Sequence, residues 1–313
     1  MTSTQALCVA AAAAGQLAQY ADRPVVRRAV LIAALGNYTH PHTRHSIAQY
    51  LLDGLSARAA AHDADLRAQV EQRVRRVIST ARKQQQQQQK LIEEAAAGAT
   101  LCEPDGPSKC AQHSDDPFLL YDLPRAAPAE RAELFRAAQG WISKVSFLVD
   151  TLPPKGHALR RRADFSSAKY PYVIVDATLY KPKLLMNISG PGVRAAAAFA
   201  HVSVPQDILI LHDELSRAFG KVSTKDGGSA AGHNGVKSTL DALGCTRNGT
   251  DFARVRIGID RPPPGIDVSR WVLGQLPRDQ LAECEWPPSP PATGKIVELV
   301  WQQVAAWCGR DKL

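Results

Sequence analysis

Residues 30–35, Val-Leu-Ile-Ala-Ala-Leu, form a short continuous apolar run, and Ile47, Tyr50, Leu51 and Leu55 follow at i, i+3, i+4 and i+8. The first pattern predicts a buried strand. The second predicts one apolar face of a helix over 46–55, with Ser46 or Thr43 available to cap its start. The strand stops at Gly36-Asn37, a pair suited to a strand-to-loop transition. Between the two elements lies Thr43-Arg44-His45-Ser46. Open α/β sheets place their ligands where a strand end meets a helix start, so His45 is a candidate site residue on position alone.

Beyond this helix, residues 56–89 are rich in Ala, Arg and Gln and end in a glutamine run at 84–89. Val70, Val74, Val77 and Ile78 keep helical spacing through 67–82, which predicts a long, charged, exposed helix. The glutamine run is low-complexity and needs no function. Residues 95–117 have loop composition and read as a linker or disordered segment. Leu134, Ile142, Val145 and Leu148 predict a further helix over 128–148, before Pro153-Pro154 breaks the chain.

Strand signals return at Tyr172-Val173-Ile174-Val175, and Leu184-Leu185 can end a hairpin or a parallel neighbour. A loop at 189–192 passes into an Ala-rich helix that reaches Ala200. Ile208-Leu209-Ile210-Leu211 has the continuous apolar character of a buried parallel strand, and His212-Asp213-Glu214 follows at its end. The glycine-rich loop 227–235 enters a helix at Val236. Val255, Ile257 and Ile259 alternate with Arg254, Arg256 and Gly258, as on a strand with one polar face. Ile296, Leu299, Val300 and Val304 mark a C-terminal helix over 294–307.

Strands separated by helices in two blocks predict a single α/β domain over 29–313. Its central mixed sheet is flanked by helices and interrupted by a long helical, low-complexity insertion at about 58–145. Residues 1–28, Ala-rich and without an acid before Asp22, read as an N-terminal extension, either poorly ordered or an organellar transit peptide.

At 313 residues, core size is not limiting. The net charge of +8 suits a polyanionic partner such as RNA or DNA without requiring one. Cys8, Cys102, Cys110, Cys245, Cys284 and Cys308 contain no C-x-x-C pair, which reads as reduced thiols in an intracellular protein. Cys102, Cys110 and His113 match no common zinc spacing. No apolar run approaches the roughly 18 residues of a membrane span.

His45, His233, Asp213 and Glu214 lie beside predicted strand ends or loops. Asp213 and His45 make a base-and-orienter pair, the carboxylate holding one imidazole nitrogen. No G-x-S-x-G elbow is present, so a water nucleophile is favoured over a covalent one. Singly, each histidine reads as a hydrogen-bonded loop residue and Asp213 as a cap; only their combination points to chemistry. His212, Asp213 and His233 could alternatively hold a divalent metal, although no H-x-x-x-H spacing supports it. The glycine-rich loop is no P-loop, because Val236 separates Gly235 from Lys237-Ser238, and Gly36-Asn37 is no G-x-G-x-x-G. Its backbone can still approach a ligand, with Asn234 supplying an amide. Lys221, Lys225, Lys237, Arg254 and Arg256 gather near these loops, either as phosphate contacts or as a solvated basic face.

Five blocks in order carry a resemblance. They are Gly36-Asn37 with Thr43-Arg44-His45-Ser46, residues 183–190 (Lys-Leu-Leu-Met-Asn-Ile-Ser-Gly), His212-Asp213-Glu214-Leu215, residues 232–237 (Gly-His-Asn-Gly-Val-Lys) and residues 254–259 (Arg-Val-Arg-Ile-Gly-Ile). Together with Val272-Leu273-Gly274 they resemble the bacterial-type peptidyl-tRNA hydrolase family over about half the chain. The resemblance implies hydrolysis of the ester joining a peptide to the 3′ end of tRNA. It also implies a monomeric α/β domain, peptidyl-tRNA as partner, and no metal or organic cofactor. With no long apolar run, no membrane is expected, and the compartment is left between cytoplasm and mitochondrion.

By the same resemblance His45 is the general base that activates water, and Asp213 is the acid that hydrogen-bonds it. Asn37 stands where the family recognises the blocked amino group of the peptide. Asn187 and Asn234 match amides that hold substrate or water, Met186 a wall of the peptide channel, and His233 its neighbour in the substrate site. Leu185 replaces a phenylalanine, and His40 a tyrosine that contacts substrate. Lys221, Lys225, Lys237 and Arg254 are the expected tRNA phosphate contacts. The loop from Asn37 to His45 is about two residues shorter than in the family, Ser46 replaces an asparagine, and Ser229 and Ala231 replace glycines. The insertion has no counterpart. The rival reading is a non-catalytic RNA-binding protein on the same scaffold, like the family's relatives that assist splicing; a metal-dependent hydrolase is a third.

Overall fold

The central strand, β1 (Val25–Ala34), is apolar on both sides from Val30 onward, because both faces of the sheet are covered there. The computed structural model describes residues 23–97, 129–153, 157–162, 169–245 and 251–310. Most of the expected linker, with Cys8, Cys102, Cys110 and His113, lies outside them.

Among the described residues the other strands are β2 (Glu133–Phe135), β3 (Gly140–Asp150), β4 (Tyr172–Pro182), β5 (Ile208–Glu214), β6 (Val222–Asp226) and β7 (Ala253–Gly258). The helices are α1 (Ile47–Ala97), α2 (Gly190–Phe199), α3 (Asn234–Ala242), α4 (Val268–Val272), α5 (Arg278–Ala282) and α6 (Lys295–Cys308). The seven strands form one mixed sheet in the order β2-β3-β4-β1-β5-β7-β6. β4, β1, β5 and β7 run parallel, and β2, β3 and β6 are antiparallel to their neighbours.

Side chains alternate across β1, as the pleat requires. Val30, Ile32 and Ala34 meet Ile47, Leu51 and Leu55 of α1 and Val297, Val300 and Trp301 of α6. Leu31, Ala33 and Leu35 meet Val193 and Ala196 of α2 and Val236 and Leu240 of α3. The result is the expected helix–sheet–helix sandwich. After β1 and α1 the chain enters the sheet at the β2 edge, returns through β3 to β4 on one side of β1, and then crosses to β5 on the other. The carboxyl end of β1 is therefore a switch point, where open α/β sheets leave a crevice.

Three expectations change. β1 begins at Val25, inside the stretch read as an N-terminal extension, because Val25–Ala33 pairs with Tyr172–Tyr180. Arg28 secures it by an ion pair to Asp207 at 2.8 Å and by stacking on Trp307. Second, the helix expected over 128–148 is replaced by β2 and β3. Val145, Phe147 and Val149 alternate into the core, and all of β3 pairs with β4, so residues assigned to the end of the insertion belong to the sheet. Third, the two helices expected around 46–55 and 67–82 are one continuous helix of 51 residues.

The chain divides into two compact units. One contains Val25–Ala64, Ala126–Thr151 and Tyr172–Leu313, and holds the sheet. The other contains Met1–Pro24, Asp65–Arg125 and Leu152–Pro171; within it Leu66, Val70 and Val74 of α1 are buried, and Arg23 bonds the carbonyls of Tyr170 and Pro171.

Candidate active site

The backbone places the site before any side chain does. Leu35 N–H donates to the Leu211 carbonyl at 2.9 Å, so Gly36-Asn37 leaves β1 beside the end of β5. Leu209 and Leu211 of β5 pack on the α1 side of the sheet. Two residues further, Asp213 points the same way and meets His45, which lies in the single 3-10 turn (Arg44–Ser46) that opens α1. His212 alternates to the other side and meets His233, at the start of α3.

His45 Nδ1 lies 2.9 Å from both carboxylate oxygens of Asp213. His233 Nε2 lies 2.9 Å from Asp213 Oδ1. The His233 tautomer follows from its other nitrogen, because Nδ1 accepts the Val236 N–H at 3.2 Å and caps α3. Nε2 therefore carries the proton and donates to Asp213. His45 likewise donates from Nδ1, which leaves the Nε2 lone pair for a substrate or water. Asp213 is buried, and burial alone would raise its pKa. The facing His233 and His45 outweigh that and hold it well below the usual carboxylate range. Burial lowers the pKa of His45, but the Asp213 charge and hydrogen bond prevail and raise it. A carboxylate that stays ionised beside an imidazole makes that imidazole a stronger base.

These atoms are also the ones a metal would use, since ligand atoms of His45, Asp213 and His233 lie within 4.8 Å of one another. Here they are engaged pairwise, each imidazole nitrogen at hydrogen-bonding distance from the carboxylate, which is an acid–base network. His212 does not complete a metal set. Its Nδ1 faces the Asp213 carbonyl at 2.7 Å, and its Nε2 is buried. Burial, then the neighbouring His233, drives its pKa well below the ordinary histidine value, so it is neutral. Glu214 turns aside to Ser216, with Oε1 2.8 Å from the hydroxyl.

A cleft of about 620 Å³ opens over this network. Asn37, Leu185, Met186, Asn187, His233 and Asn234 line it together with His45 and Asp213, so eight residues expected from sequence converge there. Asn37 Oδ1 accepts the Met186 N–H at 3.1 Å, which fixes the amide and leaves its NH2 for a ligand. Asn187 and Asn234 are exposed, each at the start of a helical segment. Ser46 caps nothing. Its hydroxyl donates to the carbonyls of Asn37 and His40 and accepts the Asn37 N–H, tying down the shortened loop.

Two expected residues are placed elsewhere. His40 sits on the exposed outer side of that loop, its ring 2.9 Å from the Thr39 hydroxyl, and does not line the cleft. Arg254 is 2% exposed. Its guanidinium donates to the carbonyls of Gly227 and Ser229 (3.0 Å for the latter) and braces the loop before His233, so it is a scaffold and not a surface phosphate contact. The face of β7 read as polar is thus covered as well. Lys221 and Lys237 are exposed and Lys225 is half-buried, all outside the cleft lining. In the braced loop Ala231 takes φ 48°, a left-handed conformation that costs a non-glycine residue about 1 kcal/mol.

One wall was not foreseen. Val268, Ser269, Val272 and Leu273, on and after α4, also line the cleft. Arg44 holds this wall, stacking on the Trp271 ring at 3.8 Å and donating to the Gln275 carbonyl at 3.2 Å. Only Val272-Leu273-Gly274 gave a signal for it in sequence.

Comparison with known proteins adds an independent line. A family model described as peptidyl-tRNA hydrolase matches residues 146–305. The peptidyl-tRNA hydrolase of Desulfitobacterium hafniense is 38% identical over 136 residues, 43% of this chain and 66% of that protein. That of Symbiobacterium thermophilum is 36% identical over 159 residues, 50% of this chain and 79% of that protein. With the first relatives the alignments span half to two thirds of their length. A solved peptidyl-tRNA hydrolase from Acinetobacter baumannii aligns over 92% of this chain and 93% of its own, at 19% identity and a TM-score of 0.41. The family match contains Asp213 and His233 but begins after Asn37 and His45. Folding brings those two to the matched part.

Proposed function

The chain belongs to the peptidyl-tRNA hydrolase family, and from that premise we propose that it hydrolyses the ester of peptidyl-tRNA with a water activated by His45. The observation that carries this is the His45–Asp213 hydrogen bond at the floor of an amide-lined cleft.

In the proposed step, water lies between His45 Nε2 and the ester carbonyl. His45 takes its proton as the oxygen attacks, and Asp213 stabilises the imidazolium. The oxyanion that develops is met by N–H groups of the cleft amides, of which Asn187 and Asn234 stand freest. The carbonyl then re-forms, the bond to the ribose oxygen breaks, and His45 returns its proton to that oxygen. The products are a peptide carboxylic acid, which loses its proton to solvent, and tRNA with its hydroxyl restored. Asn37 orients the peptide, Met186 and Leu185 pack against it, and Lys221, Lys225 and Lys237 meet tRNA phosphates. No cofactor enters, and one chain suffices. The site of action is the compartment where translation supplies the substrate, cytosol or mitochondrion.

The test is release of an N-acetylated amino acid from tRNA by the wild type and His45→Ala, with and without chelator. Loss of about 10²–10⁴-fold in His45→Ala, the range of general-base catalysis, is the expected result. Full activity in that variant would overturn the mechanism. Chelator-sensitive turnover would turn the reading to a metal-dependent hydrolase, and a wild type that binds tRNA without turnover to an RNA-binding protein.

A further inference from the structure

Beside the cleft, three segments distant in sequence assemble an aromatic patch. Tyr38, the residue after Asn37, is 41% exposed and packs on Trp141 of β3 with ring centroids 5.2 Å apart. The exposed Lys183, two residues before Leu185, places its ammonium 5.1 Å from the Tyr38 ring and 5.9 Å from that of Trp141. Trp141 also borders a groove of about 310 Å³ that contains Asp53, Glu130 and Lys181. Nothing in the proposed chemistry uses this patch.

We infer that Tyr38, Trp141 and Lys183 form a subsite for the peptide portion of the substrate, holding an aromatic or apolar side chain upstream of the ester. The inference rests on the activity proposed above and deepens it. Two observations favour a peptide over RNA. The first is position. In the sheet order, β3 lies on one side of β1 and β6, which carries Lys225, at the far edge on the other. Peptide and tRNA diverge from opposite ends of the ester, so a substrate with its phosphates toward the lysines sends its peptide toward Tyr38 and Trp141. The second is charge. Asp53 pairs with Lys181 at 2.6 Å, and Glu130 adds a further carboxylate, so the groove offers a phosphodiester chain no net attraction. Exposed aromatic faces with a nearby cation suit an aromatic side chain well.

Geometry sets which residue is read. β3 is two strands from β1, about 10 Å at 4.8 Å per strand, and an extended peptide covers that in about three residues. A single acetylated amino acid is too short to reach the patch.

The test compares kcat/KM on three substrates that share one tRNA and one C-terminal alanine. They are N-acetyl-alanyl-tRNA, and two N-acetyl-pentapeptidyl-tRNAs with phenylalanine or glycine three residues upstream of that alanine. Wild type should prefer the phenylalanine substrate to the glycine one. Tyr38→Ala should lower kcat/KM on the phenylalanine substrate by about tenfold, the size of one aromatic contact, and leave N-acetyl-alanyl-tRNA within about twofold. Tyr38→Phe should retain the preference. Equal loss on all three substrates would assign the patch to tRNA or to the fold of the loop, and would overturn the inference. So would an unchanged profile in Tyr38→Ala. A wild type that cleaves none of the three fails on the parent reading instead, and takes the subsite with it.

Discussion

His45 Nδ1 stands 2.9 Å from both oxygens of Asp213, although 168 positions and the whole insertion separate the two residues. Equal distances place the N–H on the bisector of the carboxylate. The charge is then shared by both oxygens, one of which also accepts the hydrogen bond from His233 Nε2–H. An imidazole held in this way is fixed in one tautomer, with Nε2 toward the cleft.

The pH dependence of turnover follows. The proposed base acts only when neutral, and Asp213 raises the pKa of His45 above the ordinary histidine value near 6.5. The acid limb of kcat/KM should lie above that value. In Asp213→Asn the raising partner is gone and burial remains, so the limb should move to lower pH while the plateau falls about 10²-fold or more. Stability should move in a matching way. A raised histidine pKa stabilises the fold fully below the unfolded value and ceases to do so as pH rises through the folded one. A lowered carboxylate pKa stabilises above about 3.9 and ceases to do so as pH falls through the folded value. The melting temperature of the wild type should exceed that of Asp213→Asn most at about pH 4–6.5. Coincident pH–rate profiles for the two proteins would remove Asp213 from the mechanism.

His233 serves both the acid and a helix, and these roles separate experimentally. Its Nδ1 caps α3 and its Nε2 binds Asp213. His233→Ala should cost about 1 kcal/mol of stability through the lost cap and lower kcat by about tenfold through a looser Asp213. His233→Asn can cap the helix again but does not reach Asp213 in the same way. It should recover the melting temperature without recovering kcat. If both return together, the histidine matters only as a cap.

The readable parts of this fold are those whose local pattern and tertiary role coincide. The apolar run of β1, the run of β5 ending in His212-Asp213, and the faces of α2, α3 and α6 announce themselves because burial on both sides of the sheet leaves only apolar residues there. β3 was hidden by coincidence. Leu134, Ile142, Val145 and Leu148 keep helical spacing, yet Leu134 is half exposed and the strand is dictated by its long pairing with β4. Arg254 was misread for a related reason: alternation shows that a residue faces away from its neighbours but not whether water or protein lies there. Three hydrogen bonds make its burial tolerable. The wall on α4 depends on Arg44 stacking on Trp271, a long-range contact with no local signature.

The basic residues near the site should divide into two classes. Removing Arg254 in Arg254→Ala strands the buried loop carbonyl of Gly227, at about 1–3 kcal/mol, and releases the brace on Ser229. A marked fall in melting temperature should accompany loss of turnover. Lys237 is exposed on α3, and Lys237→Ala should melt with the wild type. Its effect should appear in tRNA binding, as weaker affinity and a log–log salt slope shallower by about one. A normal melting temperature for Arg254→Ala, or an unchanged salt slope for Lys237→Ala, would show that the assignment is reversed or that neither contact matters.

Behind the cleft, α2 and α3 approach so closely that only glycine fits at the first position of α2. Gly190 N–H donates to the Ser238 hydroxyl at 3.0 Å. A Cβ there would overlap the Ser238 carbonyl and come within 2.9 Å of the Ala242 Cβ. Backbone atoms of a helix do not yield as a flexible side chain does, so Gly190→Ala must push the two helices apart. Overpacking of this kind costs about 1–3 kcal/mol, several degrees in melting temperature for a domain of this size. The effect should not stop at stability. Asn187 precedes α2 by three residues and Asn234 is the first residue of α3, so parting the helices separates the two amides proposed to meet the oxyanion. Because they act in the transition state, kcat should fall more than KM rises. A Gly190→Ala protein that is destabilised yet keeps full kcat would show that the oxyanion is met by other groups in the cleft.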